Sequence, residues 1–289
     1  MNEALLLGLA SALCYGITDY ATRIAGRAVG VWRSMFYGDL AAFILLSAWL
    51  IAAPGAAAGA PAARAGAWAA SLASAIILLG AAALLTQGLT RGTLAVVAPV
   101  AASYGAVATL LSAASGEHLS RDAGLGIAAT VLGVCLVSVP AGGLRDLREH
   151  LRSSGFGWAA GAAACYGVGF WLQGSFAVPA LGAFVPVWLS YGVVVAAVPL
   201  LRPVLALSLA IPDRGQMGPV FAAGLFSAAA YAALTVGQST GHVAVVVVLS
   251  TLASAVTVLL ARLIDRARIA PHQWLAMAVI IGGLILIRS

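Results

Sequence analysis

Two carboxylates, Asp19 and Asp39, are the only acids that fall inside apolar stretches of the chain. An ionisable group in hydrocarbon is expensive and is kept where it pairs, gates, carries a proton or meets a charged solute group. Asp19 precedes Arg23 by four residues, about 6 Å along a helix, and Asp39 follows Arg33 by six, about 9 Å. Either arginine can snorkel back to its neighbour. Two roles stay open for each carboxylate: a structural ion pair or gate, or proton coupling and recognition of a solute ammonium.

Polar and aromatic side chains recur at helical spacing. Tyr231, Thr235 and Gln238 share one helix face, as do Ser250, Ser254 and Thr257, with Thr251 adjacent. Tyr166, Phe170 and Gln173 line another, with Trp171 beside it. Thr86 and Gln87 close one apolar run, Ser103 and Tyr104 lie in the next, and Tyr15 lies in the first. Together they describe an uncharged, aromatic, hydroxyl-rich cavity. It suits a zwitterionic or neutral solute with an apolar side chain. Trp68, Trp158 and Trp274 lie near run ends, as membrane-interface residues do, whereas Tyr191 lies deeper. Pro99, inside an apolar run, removes a backbone hydrogen bond and marks either a hinge or a static kink. Asp19, Asp39 and Pro99 are the gating or coupling candidates.

No catalytic or metal-binding set is expected, and no cofactor. Glu117-His118 is an isolated pair, and no HExxH zinc motif occurs. Glu117 is expected to brace backbone or Arg121. Cys14, Cys135 and Cys165 lack ligand spacing and read as packing residues.

The elements that must position these groups follow from composition. Of 289 residues, 62% are hydrophobic and only 8% charged, against about a quarter charged in soluble domains. Apolar runs of about 20 residues, enough to cross a bilayer, recur without the alternation of a barrel. The fold class is an all-α polytopic membrane protein. Ten spans are expected, near 4–24, 32–53, 66–89, 93–114, 122–140, 155–177, 182–201, 217–237, 242–262 and 270–287. Spans 5 and 10 carry almost no interior polar groups and are placed at the periphery. The glycines at 124, 126, 133, 157, 161, 282 and 283 are expected to pack helices within a monomer.

All cations are arginines. Loops after odd-numbered spans hold Arg23, Arg27, Arg33, Arg91, Arg145, Arg148, Arg152, Arg202, Arg214, Arg262, Arg266 and Arg268; the other side holds Arg64, Arg121 and Arg288. That bias puts the odd loops in the cytoplasm and both termini on the periplasmic or external side. It also accounts for the net charge of +6 without a nucleic-acid partner. Met1-Asn2-Glu3 lacks a basic start, so the first run is expected to be an uncleaved helix. The expected partners are the lipid bilayer and a small-molecule substrate.

The chain repeats itself. Cys14-Tyr15-Gly16 returns as Cys165-Tyr166-Gly167. Leu85-Thr86, Gly92, Ala95-Val96-Val97, Ala106-Val107, Leu110-Leu111 and Gly133 return, in order, at Leu234-Thr235, Gly241, Ala244-Val245-Val246, Ala255-Val256, Leu259-Leu260 and Gly282. Five spans per half is an odd number, so the second half enters the membrane from the opposite side. The expected architecture is two inverted five-helix repeats, residues 1–144 and 155–289, around a central cavity, joined by a charged cytoplasmic linker at 145–154.

Gln87-Gly88-Leu89-Thr90, then Gly92-Thr93-Leu94-Ala95-Val96-Val97-Ala98-Pro99-Val100, then Gly116-Glu117, with Gly126 and Gly133 beyond, resemble the EamA domain of the drug/metabolite transporter superfamily. The resemblance covers both halves, strongly in the first. It departs in the second at Val248, where the first has Pro99, and at Arg266, where it has Glu117. From this departure Pro99 is expected to give span 4 a flexibility that span 9 lacks.

The resemblance implies an exporter in a bacterial inner membrane, working by alternating access. It puts neutral and aromatic amino acids first among the solutes, with sugars, nucleotides and toxic amphiphiles as the alternative. An intramembrane enzyme would want deep facing carboxylates, and a channel a filter sequence. Neither is apparent.

Overall fold

The computed structural model describes residues 2–57, 60–92, 94–117, 120–137 and 154–264, with scattered positions from 275 to 286. Residues 145–153 of the expected linker at 145–154, His118, Arg266, Trp274 and most of the expected tenth span lie outside these residues.

All regular structure among the described residues is helical. α1 (Asn2–Val29) and α2 (Val31–Ala52) are joined by Gly30 alone, whose φ of 85° favours glycine. Two short 3-10 turns lead to α3 (Ala65–Arg91). Then come α4 (Leu94–Ala102), α5 (Tyr104–Ala114) and α6 (Arg121–Val137). α7 (Ser154–Leu172) runs through a π-helical turn, Gln173–Ala177, into α8 (Val178–Leu181). Pro179 follows directly; its ring crowds the preceding turn, and a widened π turn relieves such crowding. α9 (Phe184–Leu205), α10 (Arg214–Gln238), α11 (Val243–Ser250) and α12 (Ala253–Ile264) complete the described helices. Among the described residues six segments are long and apolar enough to cross a membrane: α1, α2, α3, α9, α10, and α11 with α12 taken as one. The apolar helices at Val100–Ala114 and Gly124–Gly133 are shorter.

The expected spans at 93–114 and 242–262 are each interrupted, at Ser103 and at Thr251-Leu252. These are matching positions of the repeat. At both breaks the backbone turns to carbonyls three residues back: Ser103 N–H to Val100 at 3.2 Å, Thr251 to Val248 and Leu252 to Leu249 at 3.1 Å. Hydroxyls join in, with Ser103 donating to the Val100 carbonyl at 2.7 Å and Thr251 to that of Val248 at 2.6 Å. Such back-bonding bends helices. The second break forms where the chain has Val248 in place of proline. A break of this kind thus forms in the second half without a proline at the matching position.

Against lipid, apolar burial gains little, so the helices are held by close packing and interhelical hydrogen bonds. α1 runs along α10 and α3 along α7; α1 also packs on α11 and α12, and α7 on α4 and α5. Glycines permit these approaches. A Cβ on Gly16 would overlap Val256 and stand 2.9 Å from the Ala253 carbonyl oxygen; one on Gly167 would overlap Val107 and stand 2.9 Å from that of Tyr104. Not every glycine serves this way: a Cβ on Gly124, Gly157 or Gly282 would meet open space, while Gly283 presses on Gly126 and Thr130.

Gly116 turns the chain after α5 with a φ of 91°. Glu117 then accepts the Ala244 backbone N–H through both carboxylate oxygens, at 3.1 and 3.2 Å, capping the first turn of α11. Glu117 thus braces backbone. Burial raises its carboxyl above the ordinary value, and the Ala244 N–H offsets part of that rise. Glu117→Ala is expected to cost about 1 kcal/mol. Glu117→Gln, which keeps an acceptor, should cost less; unfolding of the detergent-solubilised protein measures both.

Candidate functional site

A cavity opens in the half of the bundle toward the odd-numbered loops. α1 lines it with Tyr15, Thr18, Asp19 and Thr22 from its second half, and α2 with Ser34, Met35, Gly38 and Asp39 from its first half. Thr86 of α3, Tyr104 of α5, Tyr166 and Phe170 of α7, Ser227 of α10, Thr251 at the break and Ser254 of α12 complete the polar and aromatic wall. Past Tyr15, Tyr166 and Phe170 the space continues to Ser190, Tyr191 and Tyr231.

An aromatic layer floors the cavity. Phe170, 3% exposed, stacks on Tyr166 at 5.4 Å and 20° and meets Tyr104 and Tyr231 edge-on at 5.5 and 5.8 Å. Hydrogen bonds fix the rings. The Tyr104 and Ser250 hydroxyls are 2.7 Å apart, and Tyr191 and Ser227 are 2.8 Å apart. Tyr231 donates to the Gln173 side-chain oxygen. Gln238 Nε2 donates to the Phe170 carbonyl at 3.1 Å. Beyond the layer, toward the even-numbered loops, lies a vestibule lined by Ser112, Ser115, Glu117, Gly174, Ser175, Phe176 and Gln238, among others.

The EamA-like transporter family matches residues 2–139 and again 153–289. The chain belongs to this family. It is a multi-pass membrane transporter rather than an enzyme. A protein known from a crystal structure superposes on this EamA-like transporter with a TM-score of 0.75, over 99% of this chain and 98% of that one, at 22% identity. At that identity the likeness concerns the fold alone. No curated protein matches the chain.

Within this EamA-like transporter the expected residues divide. Tyr15, Thr86, Tyr104, Tyr166, Phe170, Thr251 and Ser254 line the cavity, and Tyr231 its deeper end. Asp19 and Asp39 line it too. Arg33 instead donates to the Ala210 carbonyl at 2.8 Å, while Asp39 faces the cavity. The wall therefore carries two acidic side chains, a correction to the uncharged cavity expected from the stripes. Those stripes omitted the face that α1 and α2 contribute.

The other candidates stand elsewhere. Gln173 is buried in the layer, and Gln238 reaches the vestibule. Ser250 is buried against Tyr104, and Thr235 is bonded to the Tyr231 carbonyl of its own helix at 3.0 Å. Ser103 is turned to its own backbone. Trp171 points away from the cavity, donating to Ser115 at 2.9 Å and meeting Phe176 edge-on. The Gln87 side-chain oxygen is buried without a hydrogen-bond partner among the described residues and is not part of the lining. Pro99 falls within α4, next to the lining residue Ala98. No residue of α6 belongs to the described lining, in keeping with a peripheral span 5.

Missed by the sequence reading were Thr18, Thr22, Ser34, Ser190 and Ser227. Tyr15, Thr18, Asp19 and Thr22 nonetheless follow i, i+3, i+4, i+7, a face readable from spacing alone.

Proposed function

We propose that this EamA-like transporter is an exporter of the bacterial inner membrane, moving small amphipathic solutes by alternating access. Neutral and aromatic amino acids come first among the solutes, by family resemblance. One observation carries the reading. Phe170 borders the cavity, its carbonyl bonds Gln238, and Gln238 borders the vestibule, so a single side-chain layer separates spaces on opposite faces. A carrier held closed toward one side needs such a layer.

The halves are read as inverted five-helix repeats totalling ten spans, with residues 145–154 between them. The packing supports this through its reciprocity: α1 meets α10 as α7 meets α3, and Gly16 meets Val256 as Gly167 meets Val107. Near-equivalent halves can exchange conformations, which converts a cavity open to one side into a cavity open to the other. With the arginine-rich odd loops in the cytoplasm, the described state opens inward, and both termini lie outside. The functional unit is taken to be a monomer.

Single cysteines test sidedness and access in a background with Cys14, Cys135 and Cys165 replaced. Ser34→Cys should react with a membrane-impermeant maleimide from the cytoplasmic face, and Ser175→Cys from the outer face. Labelling of both from one side contradicts the reading.

A further inference from the structure

We propose that the cavity recognises a solute's protonated amino group and has no counterpart for a carboxylate, so that it selects apolar and aromatic amines over the corresponding amino acids. The inference rests on reading the protein as a carrier of small amphipathic solutes, and within that class it moves amines ahead of the amino acids that family resemblance alone puts first. Among the described residues the lining contains Asp19 and Asp39 but no arginine, lysine or histidine. Interrupted helices often offer backbone N–H groups to a carboxylate. Here four of the N–H groups at the breaks, those of Ser103, Thr251, Leu252 and Ser254, are bonded to carbonyls three residues back. A solute carboxylate would meet two acidic side chains in a site whose described lining supplies no cation.

The same wall is built for an ammonium. Ser34 is 3% exposed and lines the cavity with a hydroxyl that has no hydrogen-bond partner among the described residues. The Tyr15 and Tyr166 hydroxyls also line it without a hydrogen-bond partner among those residues. Hydroxyl oxygens and carboxylates together accept the three N–H bonds of an ammonium. Tyr166 lies within electrostatic range of both carboxylates and is stacked on Phe170, so aromatic rings stand beside the anionic groups. That combination holds an organic cation through charge-assisted bonds and cation–π contact while accommodating an aromatic side chain.

The test uses the full-length purified protein in proteoliposomes, with protein-free liposomes correcting for passive flux. Counterflow of labelled 2-phenylethylamine is compared with that of phenylalanine, at a pH where the amine stays protonated. The amine should half-saturate at roughly tenfold lower concentration, the effect of one hydrogen bond to a charged group. Asp19→Asn and Asp39→Asn should each erode that advantage. Competition by neutral 2-phenylethanol should persist in both variants, reporting an intact cavity. Phenylalanine half-saturating at an equal or lower concentration than the amine overturns the inference and leaves the carrier reading standing. Saturable flux of neither solute overturns both.

Discussion

Replacing Gly224 with leucine is expected to abolish transport and to destabilise the fold by more than the ~1–3 kcal/mol usual for overpacking. Gly224 and Gly38 are where α10 and α2 meet, and both line the cavity. A Cβ on Gly224 would overlap the Gly38 carbonyl oxygen and lie 2.8 Å from its Cα. The obstacle is backbone, which cannot rotate aside, so the helices must part and the cavity wall opens. The reverse position provides a control. A Cβ on Gly38 would lie 3.3 Å from the Val220 carbonyl oxygen, a tight contact without overlap. Gly38→Ala should therefore leave folded, partly active protein. Size-exclusion profile, unfolding temperature and flux, measured on both variants, check the contrast.

Phe170→Ala should produce the largest single loss from the aromatic layer. Truncating a buried phenylalanine costs about 3–5 kcal/mol, and each well-placed aromatic pair adds roughly 0.5–1.5 kcal/mol. Phe170 makes three such pairs, with Tyr104, Tyr166 and Tyr231. The variant also removes the side chain between cavity and vestibule. The expected result is a lower unfolding temperature together with flux that no longer saturates, because the layer leaks. Phe170→Leu, which restores most of the volume, should recover saturation while remaining less stable than the native protein. Saturable transport in Phe170→Ala would mean that the layer is not the barrier.

Helix faces were legible in the sequence, and depth along the helices was not. The face of α10 bearing Tyr231 and Gln238 was legible from spacing. Yet Ser227 on that face lines the cavity, Tyr231 stands in the layer and Gln238 borders the vestibule. Ser227 and Gln238 are eleven residues apart, about 16 Å of rise. Periodicity gives direction around a helix axis; which level a residue occupies depends on where the facing helices open.

The partner that Arg33 takes was hidden for a related reason. Arg33 lies near Asp39 along α2, but the 207–213 loop offers it the Ala210 carbonyl, a contact 177 residues distant in sequence. The helix breaks at Ser103 and Thr251 were hidden as well, because a hydroxyl in a membrane helix can bond its own backbone or a neighbour. Ser250 does both, donating to the Val247 carbonyl and standing 2.7 Å from the Tyr104 hydroxyl. The Cys-Tyr-Gly repeat, by contrast, foretold a matched pair. Gly16 and Gly167 are the close-approach points, and Tyr15 and Tyr166 both face the cavity.

One cavity, closed from the vestibule by one layer, is proposed to carry solute across the membrane. Counterflow in proteoliposomes of known orientation tests it most directly. Vesicles preloaded with a millimolar excess of unlabelled aromatic amine or amino acid should take up a labelled trace transiently above equilibrium, saturably, and not in the Gly224→Leu variant. Uptake that rises linearly with concentration and lacks the overshoot would contradict a carrier and point to a pore.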